Sequence, residues 1–191
     1  MVKKESPMKF SYPPHFHHDN EPALWQNEWE FNQMVELMKN MDVKTVLEIG
    51  TGYGQFAECL RLFEKMKVWS IDKAPMSDKI NPKYLFVGAS THWKAKDWAI
   101  EHRPKQGYDA VFIDGGHDYL TATADFINYG MMAKKMIIVH DIAGNQSGKY
   151  PVDTGSKEMW ENFRNAFYTY EFYAPREECC GVGIMFVPPK P

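Results

Sequence analysis

Apolar residues in this chain fall into two alternating patterns, short unbroken runs and longer stretches of helical period. Val46-Leu47-Glu48-Ile49 is a run of the length of a buried parallel strand. Gly50, Gly52 and Gly54 follow at every second position, and then Phe56, Ala57, Leu60, Leu62 and Phe63 recur at helical spacing. Strand, glycine turn and helix make the first half of a βαβ unit. The same alternation predicts strands over Lys67–Asp72, Tyr84–Val87, Tyr108–Asp114 and Lys135–Asp141, with helices over Trp93–Glu101 and from about Leu120 to Tyr129. The stretch from Lys73 to Pro82 carries prolines and Asn81 and reads as an irregular loop. Upstream, Leu24, Trp25, Trp29, Met34, Val35, Leu37 and Met38 predict an amphipathic helix that starts near Glu21-Pro22 and ends near Asn40. Downstream lie a polar loop over Gly144–Gly155, a helix over Ser156–Phe167, and two apolar runs, Tyr168–Tyr173 and Gly181–Val187, that predict an antiparallel hairpin.

Strands alternating with helices predict an α/β fold, a mostly parallel sheet covered by helices on both faces and closed by the C-terminal hairpin. A length of 191 residues fits a single core, so residues 22–191 are read as one domain. Residues 1–21 are polar and rich in proline, and they read as a flexible arm or lid. His15, His17 and His18 make that arm a possible metal-binding tract, but no carboxylate or cysteine pattern completes a site, and the arm reading is preferred. Net charge is −3 with a pI near 6.2, so composition advertises no polyanion-binding surface, and nucleic acid is not the expected partner. There is no apolar leader at the N-terminus and no run long enough to span a membrane. Cys59, Cys179 and Cys180 make neither a disulfide framework nor a zinc spacing, and a reducing cytoplasm is the expected location.

The glycine turn departs from a dinucleotide fingerprint. G-x-G-x-x-G would need glycine at position 55, where this chain has Gln55, and the third glycine comes one residue early. Glu48 near the strand end would repel a pyrophosphate but not a ligand carrying an ammonium or sulfonium. Asp72 ends the second strand, where a carboxylate suits a ribose diol. In an open parallel sheet, ligands bind outside the carboxyl ends of the strands, so Glu48, Asp72, Asp114 and Asp141 are all expected at one edge.

An acid followed by G-x-G-x-G, here Glu48-Ile-Gly-Thr-Gly-Tyr-Gly54, resembles the first motif of the class I S-adenosylmethionine-dependent methyltransferases. The later Asp114-Gly-Gly-His117, His140-Asp141, Gly155-Ser-Lys-Glu-Met-Trp160 and Gly181-Val-Gly-Ile-Met185 are similar to a narrower group. These are the small-molecule O-methyltransferases related to sugar and macrolide methyltransferases and the cephalosporin-hydroxylase-like family. The resemblance covers roughly residues 43–187 and implies a Rossmann-like class I methyltransferase fold. It implies S-adenosylmethionine bound by Glu48, Gly50, Thr51, Gly52, Gly54, Asp72, Ala89, Ser90 and Asp114, with Ala89 and Ser90 beside the adenine. It further implies His117 as the base, with Asp114 and Asp141 completing the catalytic set and serving as ligands of an optional magnesium ion. The departure lies beside Asp141, where His140 occupies the place of a further oxygen ligand; Asn145 and Asp118 are the other oxygens on offer.

The function expected from this reading is O-methylation of a small hydroxylated acceptor, a sugar or natural product, by in-line transfer with a histidine base. An NAD-dependent oxidoreductase on a similar sheet and a non-catalytic S-adenosylmethionine-binding module are the alternatives. A homo-oligomer is compatible with everything above, and the sequence does not select one.

Overall fold

The computed structural model of the chain describes residues 26–75, 80–144, 155–174 and 180–188. Helix α1 spans Glu28–Asn40 and begins where Asn27 turns its Oδ1 to the backbone N–H groups of Trp29 and Glu30. The expected start near Pro22 lies outside the described residues. Strand β1 is Thr45–Ile49, α2 Gln55–Phe63, β2 Lys67–Asp72 and β3 Leu85–Val87. They are followed by α3 Trp93–Glu101, β4 Tyr108–Ile113, α4 Tyr119–Tyr129 and β5 Ala133–His140. Helix α5 covers Gly155–Phe163, after which Arg164–Ala166 tightens into a 3-10 turn, so the last helix is one turn shorter than its apolar period suggested. Strands β6, Tyr168–Phe172, and β7, Val182–Phe186, end the described chain.

The seven strands form one sheet in the order β3-β2-β1-β4-β5-β7-β6. β3, β2, β1, β4 and β5 run parallel to their neighbours, and β7 pairs antiparallel with both β5 and β6. The hairpin is present as expected, but its second strand is inserted next to β5, which leaves β6 at the edge.

Both faces of the sheet are covered, which is why the central strands read as continuous apolar runs. On one face, Phe31, Met34 and Met38 of α1 and Phe56 and Leu60 of α2 pack on Val46, Phe112 and Ile138. On the other, Ala95 of α3, Phe126 and Tyr129 of α4, and Met159 and Trp160 of α5 pack on Leu47, Val111 and Ile137. Gly183 in β7 makes room for the Trp160 ring, which a Cβ there would approach to 2.6 Å. Buried Glu30 of α1 accepts the backbone N–H groups of Ala174 and Gly181, tying the first helix to the ends of the connection between β6 and β7. No helix among the described residues is long and apolar enough to cross a membrane.

Candidate active site

The carboxyl ends of the parallel strands are linked one to the next by backbone hydrogen bonds beyond the ladders. Gly88 N–H donates to Asp72 O, Gly50 N–H to Ile71 O, and Asp114 N–H to Ile49 O, each at 2.8 Å. These bonds bring the exits of β3, β2, β1 and β4 together, and with them the glycine turn, Asp72 and Asp114. Gly50 has φ +85°, and a Cβ on it would lie 2.0 Å from Asp114 O, so only glycine lets β1 leave the sheet against the end of β4. Gly54, at φ +81°, precedes α2 without a side-chain cap, which leaves first-turn N–H groups of that helix available to a ligand.

Asp72 does more than face a ligand. Its Oδ2 accepts Thr51 N–H at 2.8 Å and Gly52 N–H at 2.9 Å, and its Oδ1 accepts Ala74 N–H at 2.7 Å. The carboxylate therefore holds the glycine turn in shape from the neighbouring strand. Glu48 lies deeper than its place in the motif suggests. Side chains alternate along a strand, so it points to the α1/α2 face, where it is 1% exposed and accepts the Ser70 hydroxyl at 2.6 Å. Burial pushes its carboxyl up to about 7, against the lowering effect of the Ser70 and Thr51 hydroxyls and of Arg61.

The second half of the site forms where β4 and β5 end. The pairing of Ile113 with Val139 makes Asp114 and His140 the next partners in register, both on the α1/α2 face. His140 Nδ1 lies 3.2 Å from Asp114 Oδ1 and 3.3 Å from Asp141 Oδ1. Gln26, just before α1, donates its Nε2 to Asp114 Oδ2 at 2.8 Å. His117 stands above this group, its Nε2 3.2 Å from Asp141 Oδ2 and 3.8 Å from Asp114 Oδ1, with its side chain 44% exposed. That exposure leaves it open to a second reactant. Asp141 has φ +61°, a left-handed conformation that aspartate tolerates better than most residues.

The charges in this group support one another. Burial alone would raise Asp114, but the positive charge of His140 and the neighbouring His117 ring hold it well below the usual carboxylate range. Burial alone would lower His140, yet the charges of Asp114 and Asp141 hold it well above 6.5. The carboxylates of Asp114 and Asp141 likewise raise His117 above its ordinary value, against desolvation and the charge of His140.

Asp114, His140 and Asp141 each offer a donor atom, all within 4.8 Å of one another, in an arrangement that could hold a metal ion. The set does not fit the magnesium ion that the resemblance implies. Magnesium favours oxygen ligands in a nearly regular octahedron, and here a nitrogen takes a protein position beside only two carboxylates. Asn145, one of the oxygens considered above, lies outside the described residues. Asp118 is engaged as the N-cap of α4, where it accepts Thr121 N–H at 2.9 Å.

Of the remaining expected residues, Ala89 is exposed at the exit of β3 and Ser90 is half-buried. Ser90 O accepts the Tyr129 hydroxyl, and its own hydroxyl faces Asp125. The sequence reading missed Gln26 and Asp125, and it named His140 and Gly155 without the roles that the structure gives them. His140 could have been found from strand alternation, since it shares a face with Asp114. Gly155 carries no chemistry of its own, but a Cβ on it would sit 2.1 Å from Tyr119 N and 2.3 Å from His117 O, so α5 begins directly against the turn bearing His117. Gln26 gave no signal at all. Asp125 is fully buried in α4, and neither of its oxygens has an aligned partner among the described residues.

Burial pushes the Asp125 carboxyl up to about 6, against the opposing effect of the nearby Ser90 hydroxyl. An acid raised in the fold keeps a proton that the unfolded chain loses, so its burial costs progressively more as pH rises from about 4 to about 6, in total up to about 3 kcal/mol. Asp125→Asn is therefore expected to be more favourable relative to wild type at about pH 8 than at about pH 4, by about 1–3 kcal/mol. Urea unfolding at both pH values measures this, and an equal effect at both would contradict it.

No protein-family model matches the chain, and no curated protein matches it in sequence. Solved structures do match. An O-methyltransferase from Bacillus cereus in complex with S-adenosylhomocysteine superposes with TM-score 0.63 at 15% identity, covering 85% of this chain and 82% of that one. Cofactor-bound Rv0187 from MTB gives TM-score 0.64 at 15% identity, covering 88% and 84%. The O-methyltransferase TomG from Streptomyces achromogenes, involved in tomaymycin synthesis and in complex with S-adenosylmethionine, gives 0.62 at 14%, covering 87% and 82%. At such identities the likeness concerns the fold, and it spans nearly the whole of both chains. With its strand order and inserted antiparallel β7, this chain has the Rossmann-like fold of the class I S-adenosylmethionine-dependent methyltransferases.

Proposed function

We propose that this protein is an S-adenosylmethionine-dependent methyltransferase that acts on a hydroxyl group of a small acceptor. The observation that carries the reading is the hydrogen bond from Asp114 N–H to Ile49 O, which sets the acid–histidine cluster beside the glycine turn on one sheet edge. Gly50, Thr51, Gly52 and Gly54 form the backbone cradle. Gly54 lies against Ile80, which a Cβ there would approach to 2.7 Å, so the turn is also closed from the β2–β3 side. Asp72 shapes the cradle and offers its remaining lone pairs to the ribose, while Ala89 and Ser90 border the base. Glu48 acts from below, through Ser70, with its charge partly present near neutrality.

The bound cofactor supplies an electrophilic methyl group on a sulfonium. Transfer to oxygen is an in-line displacement, in which alignment and exclusion of water count most. The acceptor oxygen forms its bond to the methyl carbon as the carbon–sulfur bond breaks and the electron pair returns to sulfur. With Nε2–H turned to the carboxylates, His117 takes the hydroxyl proton on its other ring nitrogen, Nδ1. Asp114 and Asp141 hold that ring in place and stabilise the imidazolium once the proton has moved. The structural neighbours that bear O-methyltransferase names, from Bacillus cereus and Streptomyces achromogenes, agree with this reaction class.

Calorimetric titration with S-adenosylhomocysteine, run beside NAD, tests the proposal. Micromolar binding of the homocysteine compound alone is expected, weakened at least about tenfold in Asp72→Ala, since each 1.4 kcal/mol lost is a factor of ten. Binding of NAD, or of neither, would overturn it. A non-catalytic binding module would bind the homocysteine compound equally well and show no turnover with any hydroxylated acceptor.

A further inference from the structure

We infer that Asp114, His140 and Asp141 form a metal site built for a borderline transition-metal dication, of the zinc, iron(II) or cobalt(II) class, in preference to magnesium. The inference rests on the reading of this edge as the transfer site only for what the ion would do there; its identity follows from the donors alone.

The first support is geometric. Donors bound at about 2.1 Å in the tetrahedron that zinc favours lie about 3.4 Å apart. His140 Nδ1 stands 3.2 Å and 3.3 Å from the Oδ1 atoms of Asp114 and Asp141, close to that spacing. Gln26 occupies Asp114 Oδ2 and so leaves Oδ1 as the oxygen turned toward His140.

The second support is an unmatched polar group. The His140 side chain is only 6% exposed, and neither of its nitrogens has an aligned hydrogen-bond partner among the described residues. A buried polar group left in that condition is costly, and buried polar groups are almost always satisfied. A proton on Nδ1 is the competing occupant. It would be directed along a hydrogen bond to one oxygen, and neither short contact is aligned as one. A cation between the three donors, bound by neutral His140 in place of the Nδ1 proton, takes up Nδ1 and one oxygen of each carboxylate together.

The third support is the chemistry of the donors. Imidazole nitrogen suits zinc, iron, cobalt and nickel, whereas magnesium selects carboxylates, carbonyls and water. The left-handed backbone of Asp141 turns its carboxylate into the group, and the bond from Ala143 N–H to Cys180 O at 2.9 Å holds that turn against the entry to β7.

The test uses the full chain with His15, His17 and His18 replaced by alanine, so that the arm does not bind metal. The protein is stripped with a chelator and titrated calorimetrically with zinc and with magnesium, and separately with cobalt(II) followed by visible absorption. Zinc outcompetes magnesium at most protein sites, so the informative quantity is how the ratio of their affinities depends on position 140. His140→Glu is expected to lower the zinc-to-magnesium ratio at least about tenfold, and His140→Ala to weaken zinc at least about a hundredfold and abolish the cobalt absorption. Far-ultraviolet circular dichroism and a cooperative urea transition show that both variants fold. A ratio that does not respond to His140→Glu, zinc affinity unaltered in His140→Ala, or no binding of any ion would each overturn the inference. Metal binding that depends on His140 in a protein that fails to bind S-adenosylhomocysteine would leave this inference standing and remove the methyltransferase reading.

Discussion

Alanine at position 50 is expected to abolish binding of S-adenosylhomocysteine and to lower the unfolding free energy by more than about 4 kcal/mol. Two independent effects add at this residue. A φ of +85° is strained for any residue with a Cβ, at a cost of about 1–3 kcal/mol. The added carbon would also fall 2.0 Å from Asp114 O, 2.6 Å from Asp114 C and 2.7 Å from Gly115 Cα, which are all backbone atoms. No side-chain rotation relieves such a clash, so the exits of β1 and β4 must separate. The bond from Asp114 N–H to Ile49 O is then strained or lost, and with it the register between the glycine turn and the acid–histidine cluster. Urea unfolding followed by tryptophan fluorescence measures the first effect and calorimetry the second. A variant with the wild-type midpoint and affinity would show that the two strand ends are not joined as described.

His117→Ala is expected to reduce kcat by about a hundredfold to ten-thousandfold, the usual contribution of a positioned general base. Affinity for S-adenosylhomocysteine should stay within about twofold, a difference well under 1 kcal/mol, because the ring is placed on the acceptor side of the cluster and not in the glycine cradle. The measurement is transfer of labelled methyl from S-adenosylmethionine to hydroxylated acceptors such as sugars and phenols. Added imidazole should restore part of the rate in the alanine variant, since it can enter the space the ring vacated and take the same proton. Unchanged kcat would remove His117 from the chemistry. Loss of affinity together with rate would mean that the turn built by Gly115, Gly116 and His117 has collapsed onto the cofactor side.

Much of the architecture was readable along the chain because parallel strands buried on both faces leave unmistakable apolar runs. Val46–Ile49, Val68–Ile71 and Val111–Ile113 could only be strands, and the helical periods between them set the alternation. Local chemistry was legible where a residue type is demanded by backbone conformation: three glycines in five residues announced the turn, and each has positive φ. Boundaries were read less well where tertiary contacts set them. Helix α4 begins one residue earlier than its apolar pattern, at Tyr119, because Asp118 caps it. Strand β5 begins at Ala133, since pairing with Tyr108 extends it past the apolar run.

By itself, the sequence determined the fold class and the short-range devices of the site, because both are written in spacings of a few residues. Only the tertiary structure decided which acids face a ligand, because that depends on register between strands distant in sequence. Glu48 and Asp72 both stand near strand ends, yet one is sunk under α2 against Ser70 and the other clamps the glycine turn. His140 read only as a departure beside Asp141 until the pairing of β4 with β5 set it beside Asp114, and Gln26 entered the site from a segment with no motif at all. Periodicity records how each element meets the core. Convergence of side chains from four separate elements on one point is a property of their packing.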